Sequence, residues 1–551
     1  MQHALVAADD NTFWVRVEWT FCAMLVAFSF GQLVALYDGM IRPRWMLRNL
    51  PRPSGGHLPE GHLTEIRAAE SGQALKLWHS LYGRVFFFNS IFGVSRISIA
   101  DSRALRHILV EEAYNFPKSP LDRSFLGAFL GQGLLVAEGD THLRQRRVVN
   151  PAFGTNQMKE FYPTMLERAL KFCDDIVALL NCSPVLPMTI DLVQHTNAAS
   201  LDILMAAGFG NDLGGKASDD QQQLIEVFKN YLEQNRGLGL TAGLRLMVPV
   251  LRYVPDPSKR SKVTRTAKET MKCISLRMIA QRRADMEALE AIGVVDTAYG
   301  KDILTLLIKA NMAQGVKQRL SDEELIAQMS TFLFAGHETT ATAINWATFQ
   351  MVKYPPSQEA LQKEVLNVST DTPTYDELSS LPYLDAVVRE TLRMSPPVVG
   401  TVRMAAKDTI IPLGEEIIDV NGRKMKELLI PRKCRIDVPN LTINTDPAIW
   451  GADAAEFRPE RWLEVEKLPE GVMEVPSLAF PTFLAGPRAC IGFRFAMLEM
   501  KVILFAIMRS VKFAAAVPVD DIESKTFMVS YPRVKSKPEA GAQLPVLASL
   551  A

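Results

Sequence analysis

Phe483-Leu484-Ala485-Gly486-Pro487-Arg488-Ala489-Cys490-Ile491-Gly492 is the most specific stretch of the chain: Phe483, Gly486, Arg488, Cys490 and Gly492 fall on a fixed F-x-x-G-x-R-x-C-x-G spacing. The residues that follow, from about 491 to 511, carry a helical pattern, which puts Cys490 at a helix N-terminus. There the unsatisfied N–H groups and the macrodipole favour a thiolate. Gly486 and Gly492 leave the backbone open to close approach. An isolated cysteine is usually a small buried hydrophobe, but five matched positions in this one stretch weigh against that reading. Cys22, Cys173, Cys182, Cys273 and Cys434 lie far apart with no C-x-x-C pair, and read as reduced thiols in a cytosolic environment.

Around this stretch lies a long, ordinary-looking chain. Its 551 residues are 48% apolar, which disfavours both wholesale disorder and a multi-span membrane protein. Sixty-one basic side chains balance 61 acidic ones, so the electrostatic footprint of a nucleic-acid binder is missing. Residues 62–82 suggest a helix and 85–101 paired strands. From about 101 to 395 the pattern is mostly helical, punctuated at Pro117, Pro120, Pro151, Pro163, Pro184, Pro187 and Pro249. Residues 398–440 turn β-like. Many helices with a minority of late strands predict a mainly α, α+β fold.

The longest uninterrupted helix is predicted over 321–354, opened by a Ser321/Glu324 capping box and stopped by Pro355. It carries Ala335-Gly336-His337-Glu338-Thr339-Thr340, an acid–hydroxyl pair that is costly to bury without a purpose. His337-Glu338 lacks the second histidine of a zinc peptidase, since residue 341 is Ala341. The Gly210–Lys216 run falls short of a phosphate loop at Ala217 and reads as a turn, and no G-x-G-x-x-G is present. Glu390 and Arg393 stand one helical turn apart, ahead of Pro459-Glu460-Arg461-Trp462.

These four motifs, in their order along the chain, resemble those of the haem-thiolate monooxygenases, the cytochrome P-450 family, over roughly 62–535. The resemblance implies that family's large triangular helical fold with a smaller β-rich part. It makes Cys490 the axial ligand of haem b, whose anionic sulfur favours O–O cleavage. Phe483 would shield the sulfur, and Gly486 and Gly492 would admit the macrocycle. Arg488, His142, Arg146 and Arg403 become propionate partners, although tryptophan is commoner at the His142 position. Gly336 would make room for dioxygen, Thr339 would hydrogen-bond the activated oxygen, and Glu338 would relay protons to it. Glu390, Arg393 and Arg461 would form a buried ion triad, with Trp462 a tolerable swap for phenylalanine. Recognition positions by analogy are Phe125, Leu126, Phe129, Leu130, Phe332, Val398, Val399, Phe527 and Met528. Nearly all are apolar, so a lipophilic, weakly polar substrate is expected, terpenoid or sterol-like first, then fatty acids, polyketides and aromatic xenobiotics. Electrons would come from NADPH through a flavoprotein reductase docked on a basic patch of Arg144, Arg147, Arg494 and Lys501, which equally reads as a solvated face.

The N-terminus is set apart from this body. Nineteen uncharged residues, 19–37, lie between Glu18 and Asp38. As a helix they span about 28 Å, close to a bilayer's hydrocarbon thickness. Trp14, Trp19 and Tyr37 sit near the edges, and Arg42, Arg44, Arg48 and Arg52 follow. The positive-inside rule predicts a lumenal 1–18, a single uncleaved transmembrane anchor over 19–37, a non-helical Pro/Gly hinge over 38–61 and a cytosolic catalytic domain over 62–551. The expected location is the endoplasmic reticulum membrane. Two rivals share the haem or part of it: a peroxide-driven peroxygenase, isomerase or dehydratase, and a haem sensor or carrier. The acid–threonine pair weighs against both.

Overall fold

The computed structural model describes residues 3–210, 223–224, 226–227, 230–231, 258–291, 302–313, 315, 318–464, 478 and 480–551; side chains are described from Trp14 onward, except at 25, 32, 33, 35, 36 and 290. The principal helices are α1 (His3–Leu36), α2 (Arg42–Met46), α3 (Leu63–Ala68), α4 (Gln73–Tyr82), α5 (Pro120–Leu130), α6 (Gly139–Val149), α7 (Thr155–Asn181), α8 (Leu192–Ile203), α9 (Lys259–Ala291), α10 (Asp322–Lys353), α11 (Pro382–Met394) and α12 (Phe493–Ser510). The Gly210–Lys216 turn lies outside the described residues except for Gly210 itself.

Helix α10 organises the body. Ser321 accepts from the Glu324 N–H at 3.2 Å while the Glu324 carboxylate accepts from the Ser321 N–H at 3.0 Å, completing the predicted capping box. Almost every side chain from Leu325 to Val352 is buried, so this helix is core rather than surface. It packs on α8, α11 and α12, and α12 in turn lies along α7. One hydrophobic cluster runs through all of them. Helix α7 continues through Pro163, where punctuation was expected. Pro163 and Lys159 are both solvent-exposed, so the carbonyl that the proline ring leaves without its helical N–H lies on the wet face of the helix.

Among the described residues the strands form four small sheets. β1 (Val85–Asn89) and β2 (Ser95–Ile99) pair antiparallel as the pattern predicted, then β2 pairs with β7 (Arg435–Val438), and β7 with β4 (Thr401–Met404). β5 (Thr409–Ile418) and β6 (Lys424–Ile430) make a hairpin with Ile410 opposite Leu429. β3 (Met188–Asp191), β11 (Pro545–Leu550) and β8 (Val511–Ala515) form the third sheet; β9 (Ile522–Thr526) and β10 (Ser530–Val534) form the fourth. This is the expected mainly helical fold with a smaller β part.

The N-terminal expectations fare differently. Among the described residues, no helix is long and apolar enough to cross a membrane, so the transmembrane reading of 19–37 has no support there. That reading falls partly on residues 25, 32, 33, 35 and 36, whose side chains lie outside the description. The non-helical hinge is corrected outright in its first part. The chain stays helical through Tyr37–Ile41 and α2, because Pro43 occupies the first turn of α2, where its missing N–H is no loss. Leu47 and Leu50 are then buried in the β-rich core beside Ile411, Leu413, Leu428 and Ile430.

Candidate active site

The Cys490 loop is closed by its own backbone: the Cys490 N–H donates to the Phe483 carbonyl at 2.7 Å. Gly486 has φ +67°, and a Cβ there would run into the Leu109 carbonyl oxygen. The reason for this glycine is thus a protein backbone and a left-handed turn, not the expected approach of a macrocycle. Gly492 has only Phe153 near its open side, at 3.7 Å. Phe483 lies tilted against Phe493 at 6.0 Å. Cys490 as a residue keeps solvent-accessible surface, although protein packed around its sulfur desolvates it. Burial in the surrounding protein raises its pKa, against which the Gly492 N–H and the Arg146 charge favour the thiolate.

Beside it lies a buried nest of cations. Arg488 pairs with Glu138, and Lys118 holds the same carboxylate at 3.0 Å. Arg488 Nε and Nη1 and Arg403 Nε are buried with no hydrogen-bond partner among the described residues. Arg403 spends only Nη1, on Thr401 at 2.8 Å and the Val402 carbonyl at 2.9 Å. Burial pulls Arg403 down to about 10, and Arg488 adds repulsion. Glu138 pairs directly with two of the three cations and Asp122 acts on Arg403 from farther off, so the unpartnered guanidinium nitrogens leave buried positive charge that costs free energy unless an anion completes it. Two of the expected partners behave differently. His142 bonds the Tyr114 hydroxyl at 2.9 Å, and desolvation, then Arg488, Lys118 and Arg146, lower its pKa to about 4, so it is neutral. Arg146 donates to the Ala489 carbonyl at 2.6 Å, bracing the cysteine loop rather than reaching toward Arg403 and Arg488.

On α10, Thr339 donates to the Ala335 carbonyl at 2.7 Å, the local bond a helical threonine makes. Glu338 Oε2 is buried with no partner among the described residues, and burial raises its pKa to about 7. Gly336 does not open the site to a small molecule: a Cβ there would lie 2.9 Å from Leu204 Cδ2, so the glycine admits a neighbouring side chain. Ala335, four residues before Thr339, is the small residue on the threonine's own face and was missed; the i, i+4 rule would have found it. Glu499 on α12 is a buried acid that the sequence reading does not single out. Its Oε1 accepts from Ser200 at 2.6 Å, and burial raises it to about 8.

The recognition positions come together in part. Phe125 meets Phe527 edge-on at 6.4 Å and Tyr231 at 5.9 Å, and Phe129 stacks on Tyr231 at 4.2 Å. Leu126 and Met528 are partly buried against the main hydrophobic core, and Leu130 is buried within it. Phe332 packs its ring edge-on against Phe153 at 5.5 Å. Phe334 instead meets Phe129 at 5.4 Å; standing four residues before Glu338, it had a helical signal that went unread. Val398 accepts from Asn440 at 3.1 Å, whereas Val399 lines a separate 260 Å³ pocket with Trp346 and Ser71.

The framework motifs converge fully. Glu390 receives Arg393 through two bonds of 2.8 and 2.7 Å, with both side chains completely buried. Arg461 approaches Glu390 only to 3.6 Å and spends its hydrogen bonds on Asp453 and the Trp450 carbonyl. Trp462 donates Nε1 to Glu390 at 2.9 Å, so the tryptophan is a member of the network rather than a passive swap. Half of the basic patch is spent on ion pairs: Arg144 pairs with Glu324, and Lys501 with Asp385 at 2.6 Å.

A profile described as Cytochrome P450 matches residues 51–538. The chain belongs to the cytochrome P450 family. It is 37% identical to cytochrome P450 monooxygenase 205 of Postia placenta, over 91% of this chain and 92% of that one. It is 36% identical to cytochrome P450 monooxygenase 128 of the same fungus (91% and 92%), and 33% identical to cytochrome P450 monooxygenase claO of Ampulloclitocybe clavipes (95% and 97%). A P450 uses a thiolate-ligated haem b and takes electrons from NAD(P)H through a reductase. The residues present fit that group, since the unpartnered nitrogens of Arg488 and Arg403 suit two propionates beside a single cysteine.

Proposed function

We propose that this P450 monooxygenase oxidises a lipophilic, weakly polar small molecule, terpenoid or sterol-like before fatty acid, polyketide or aromatic xenobiotic. The observation that carries this is the aromatic roof of Phe125, Phe129, Tyr231, Phe334 and Phe527, in which every named side chain is aromatic and uncharged. Cys490 would hold the haem iron, and Arg488 and Arg403 its propionates. Bound there, the haem supplies dioxygen activation and transfer of one oxygen atom to the substrate.

The chain's own residues manage protons and water. Glu338, half-protonated near neutrality, takes a proton from the solvent side and gives it up inward with little cost either way. Thr339 holds a proton at Oγ1, parked on the Ala335 carbonyl until a better acceptor appears. The aromatic roof excludes water, so protons arrive through these two groups. The electron donor in this reading is an NADPH-dependent flavoprotein reductase, and the enzyme sits on the endoplasmic reticulum membrane through α1. Supporting the anchor, Trp14, Trp19, Phe21, Met24, Val26, Phe28 and Phe30 are all exposed along one helix.

Titration of the purified holoenzyme with a panel of terpenoids, sterols, fatty acids and aromatic compounds, read as the spin-state shift of the Soret band, tests the substrate class. Terpenoids or sterols are expected to bind tightest. A preference for fatty acids overturns that choice. Loss of the red-shifted carbon monoxide band in Cys490→Ser is expected alongside.

A further inference from the structure

The last two turns of α10 place Trp346, Phe349, Gln350 and Lys353, spaced i, i+3, i+4 and i+7, along one wall of the 260 Å³ pocket. Opposite them stand the end of α11 and the chain that leaves it, through Met394, Ser395, Pro396 and Val399. Strands β9 and β10 add Ile522, Ser524 and Ser530, and the turn before α4 adds Ser71. Gly72 lets that turn close in: its φ is +73°, and a Cβ there would lie 2.8 Å from Leu441 and 3.5 Å from Val399. Hydrogen bonds tie the walls together. Trp346 Nε1 donates to the Ser530 carbonyl at 2.6 Å, and the Ser530 N–H donates to the Pro397 carbonyl at 2.8 Å. The Ser71 N–H donates to the Ser524 carbonyl, and the Leu441 N–H to the Val399 carbonyl, each at 3.0 Å.

The lining says what would fit. Trp346, Phe349, Leu441 and Ile522 are buried and apolar. Glu70 and Lys535 neutralise each other at 3.2 Å, and Lys353 and Asp520 are exposed and of opposite sign, so no net charge faces a guest. Ser71 is different. It is 6% exposed, and its Oγ has no hydrogen-bond partner among the described residues. The Ser524 and Ser530 hydroxyls bond each other at 2.6 Å, which puts one proton between them and leaves the other to spare. A buried hydroxyl without a partner is costly, and a guest hydroxyl, which both donates and accepts, satisfies it. The pocket falls just short of the ~300 Å³ at which drug-sized ligand sites begin, so the guest is compact.

We propose that this pocket binds a compact, uncharged lipophilic alcohol, its hydroxyl on Ser71 and its carbon skeleton against Trp346, Phe349 and Val399, and that the bound alcohol tightens ligand binding at the haem site. Two of its walls are the far sides of segments that carry recognition positions: the chain through Val398 and Val399, and strands β9 and β10, whose connecting turn holds Phe527 and Met528. A guest braces both, and a second ligand then meets segments already ordered. The pocket is defined by the protein's contacts with itself, so this holds whichever lipophile the haem site oxidises.

The test uses the full-length holoenzyme and 5-fluoro-1-indanol, followed by fluorine NMR, with a saturating haem-coordinating azole, clotrimazole, in the haem site. 5-Fluoroindane, the same skeleton without the hydroxyl, is the comparison. Ser71→Ala removes the hydroxyl partner, Ser524→Leu fills the pocket, and a carbon monoxide spectrum verifies that each variant is folded. Wild type is expected to bind the alcohol beside clotrimazole. Ser71→Ala should bind it about five-fold more weakly, as should wild type the indane, the loss of one ordinary hydrogen bond. Ser524→Leu should not bind it. The alcohol should also lower, several-fold, the clotrimazole concentration that half-shifts the Soret band of wild type, and leave that of Ser524→Leu unchanged. Failure of the alcohol to bind beside clotrimazole leaves Ser71 to water and overturns the proposal. Equal binding of alcohol and indane, with Ser71→Ala like wild type, overturns it without relying on Ser524→Leu. Binding that leaves the clotrimazole requirement of wild type unchanged overturns the coupling. A requirement raised in wild type and Ser524→Leu alike marks the alcohol as a competitor for the haem site, and overturns the proposal as well.

Discussion

Glu338 is the residue on which chemistry and stability meet. Burial raises its pKa from 4.5 to about 7, so the folded protein keeps a proton that the unfolded chain releases between those values. Its contribution is therefore fully present below pH 4.5 and is lost as pH rises through about 7. Glu499, raised to about 8, acts in the same direction over a window that ends higher. Glu338→Gln should flatten the decline in melting temperature between pH 5 and 7, and an unchanged profile would mean the group ionises normally. The same variant should reduce product formed per NADPH consumed by on the order of 10²-fold, the low end for a lost proton-transfer group. Its pH inflection near 7 should also disappear. Thr339→Ala should consume NADPH and oxygen with little product, and unchanged coupling would remove Thr339 from the proton route. At the proximal motifs, Glu390→Ala strands Arg393 and should give apoprotein, whereas Trp462→Phe removes one hydrogen bond to a charged acceptor. That milder change should cost about 1.5–3 kcal/mol in urea unfolding with haem retained. A loss under 0.5 kcal/mol would return Trp462 to the role of an aromatic filler.

At the scale of elements, two glycines separate what a loop demands from what a helix tolerates. Gly486 combines φ +67° with the Leu109 carbonyl at its back, an immovable backbone atom. Alanine there carries about 1–2 kcal/mol for the left-handed conformation alone, before the collision. Gly486→Ala should purify without haem. Gly336 faces only the tip of Leu204, and alanine gains about 1 kcal/mol of helix propensity. Gly336→Ala should therefore change stability by less than about 1 kcal/mol, with a normal carbon monoxide spectrum; loss of oxygen binding in that variant would restore the role that its contact with Leu204 denies it. Local rules explain why α10 was legible in the sequence: its capping box and Pro355 are written within a few residues of its ends. The partners of the glycines were not legible, because Leu109 and Leu204 reach them only through the fold. The same holds for Phe332 and Phe334. Both are aromatic, and only the helix phase and the positions of Phe153 and Phe129 assign one to the core and the other to the roof.

The whole molecule is electrically neutral, with 61 charges of each sign, so docking of an electron donor depends on where charge is left uncompensated. The sequence reading groups Arg144 and Arg147, facing outward on the helix of His142 and Arg146, with Arg494 and Lys501 on the Cys490 helix as one patch. The fold spends two of them: Glu324 takes Arg144 and Asp385 takes Lys501, acids whose proximity no local pattern announces. A neutralised cation projects little field beyond about 8 Å at physiological salt. Arg494 remains exposed over the Phe493 ring at 4.4 Å with no ion pair among the described residues, and exposed Arg147 has only a 3.4 Å bond to Gln318. If a reductase is steered by charge to the side of the molecule that bears Cys490, these two carry the steering. Arg494→Glu and Arg147→Glu should raise the reductase concentration needed for half-maximal turnover several-fold at low salt, and the difference from wild type should fade as salt is added. Arg144→Ala and Lys501→Ala should leave that concentration nearly unchanged and register instead as lower thermal stability, more for Arg144→Ala, which removes the cation from Glu324, than for Lys501→Ala, after which Asp385 keeps Arg389 at 2.5 Å. Reversal of the pattern, with Arg144→Ala weakening reductase use at unchanged stability, would mean that the Arg144–Glu324 pair opens when the donor binds.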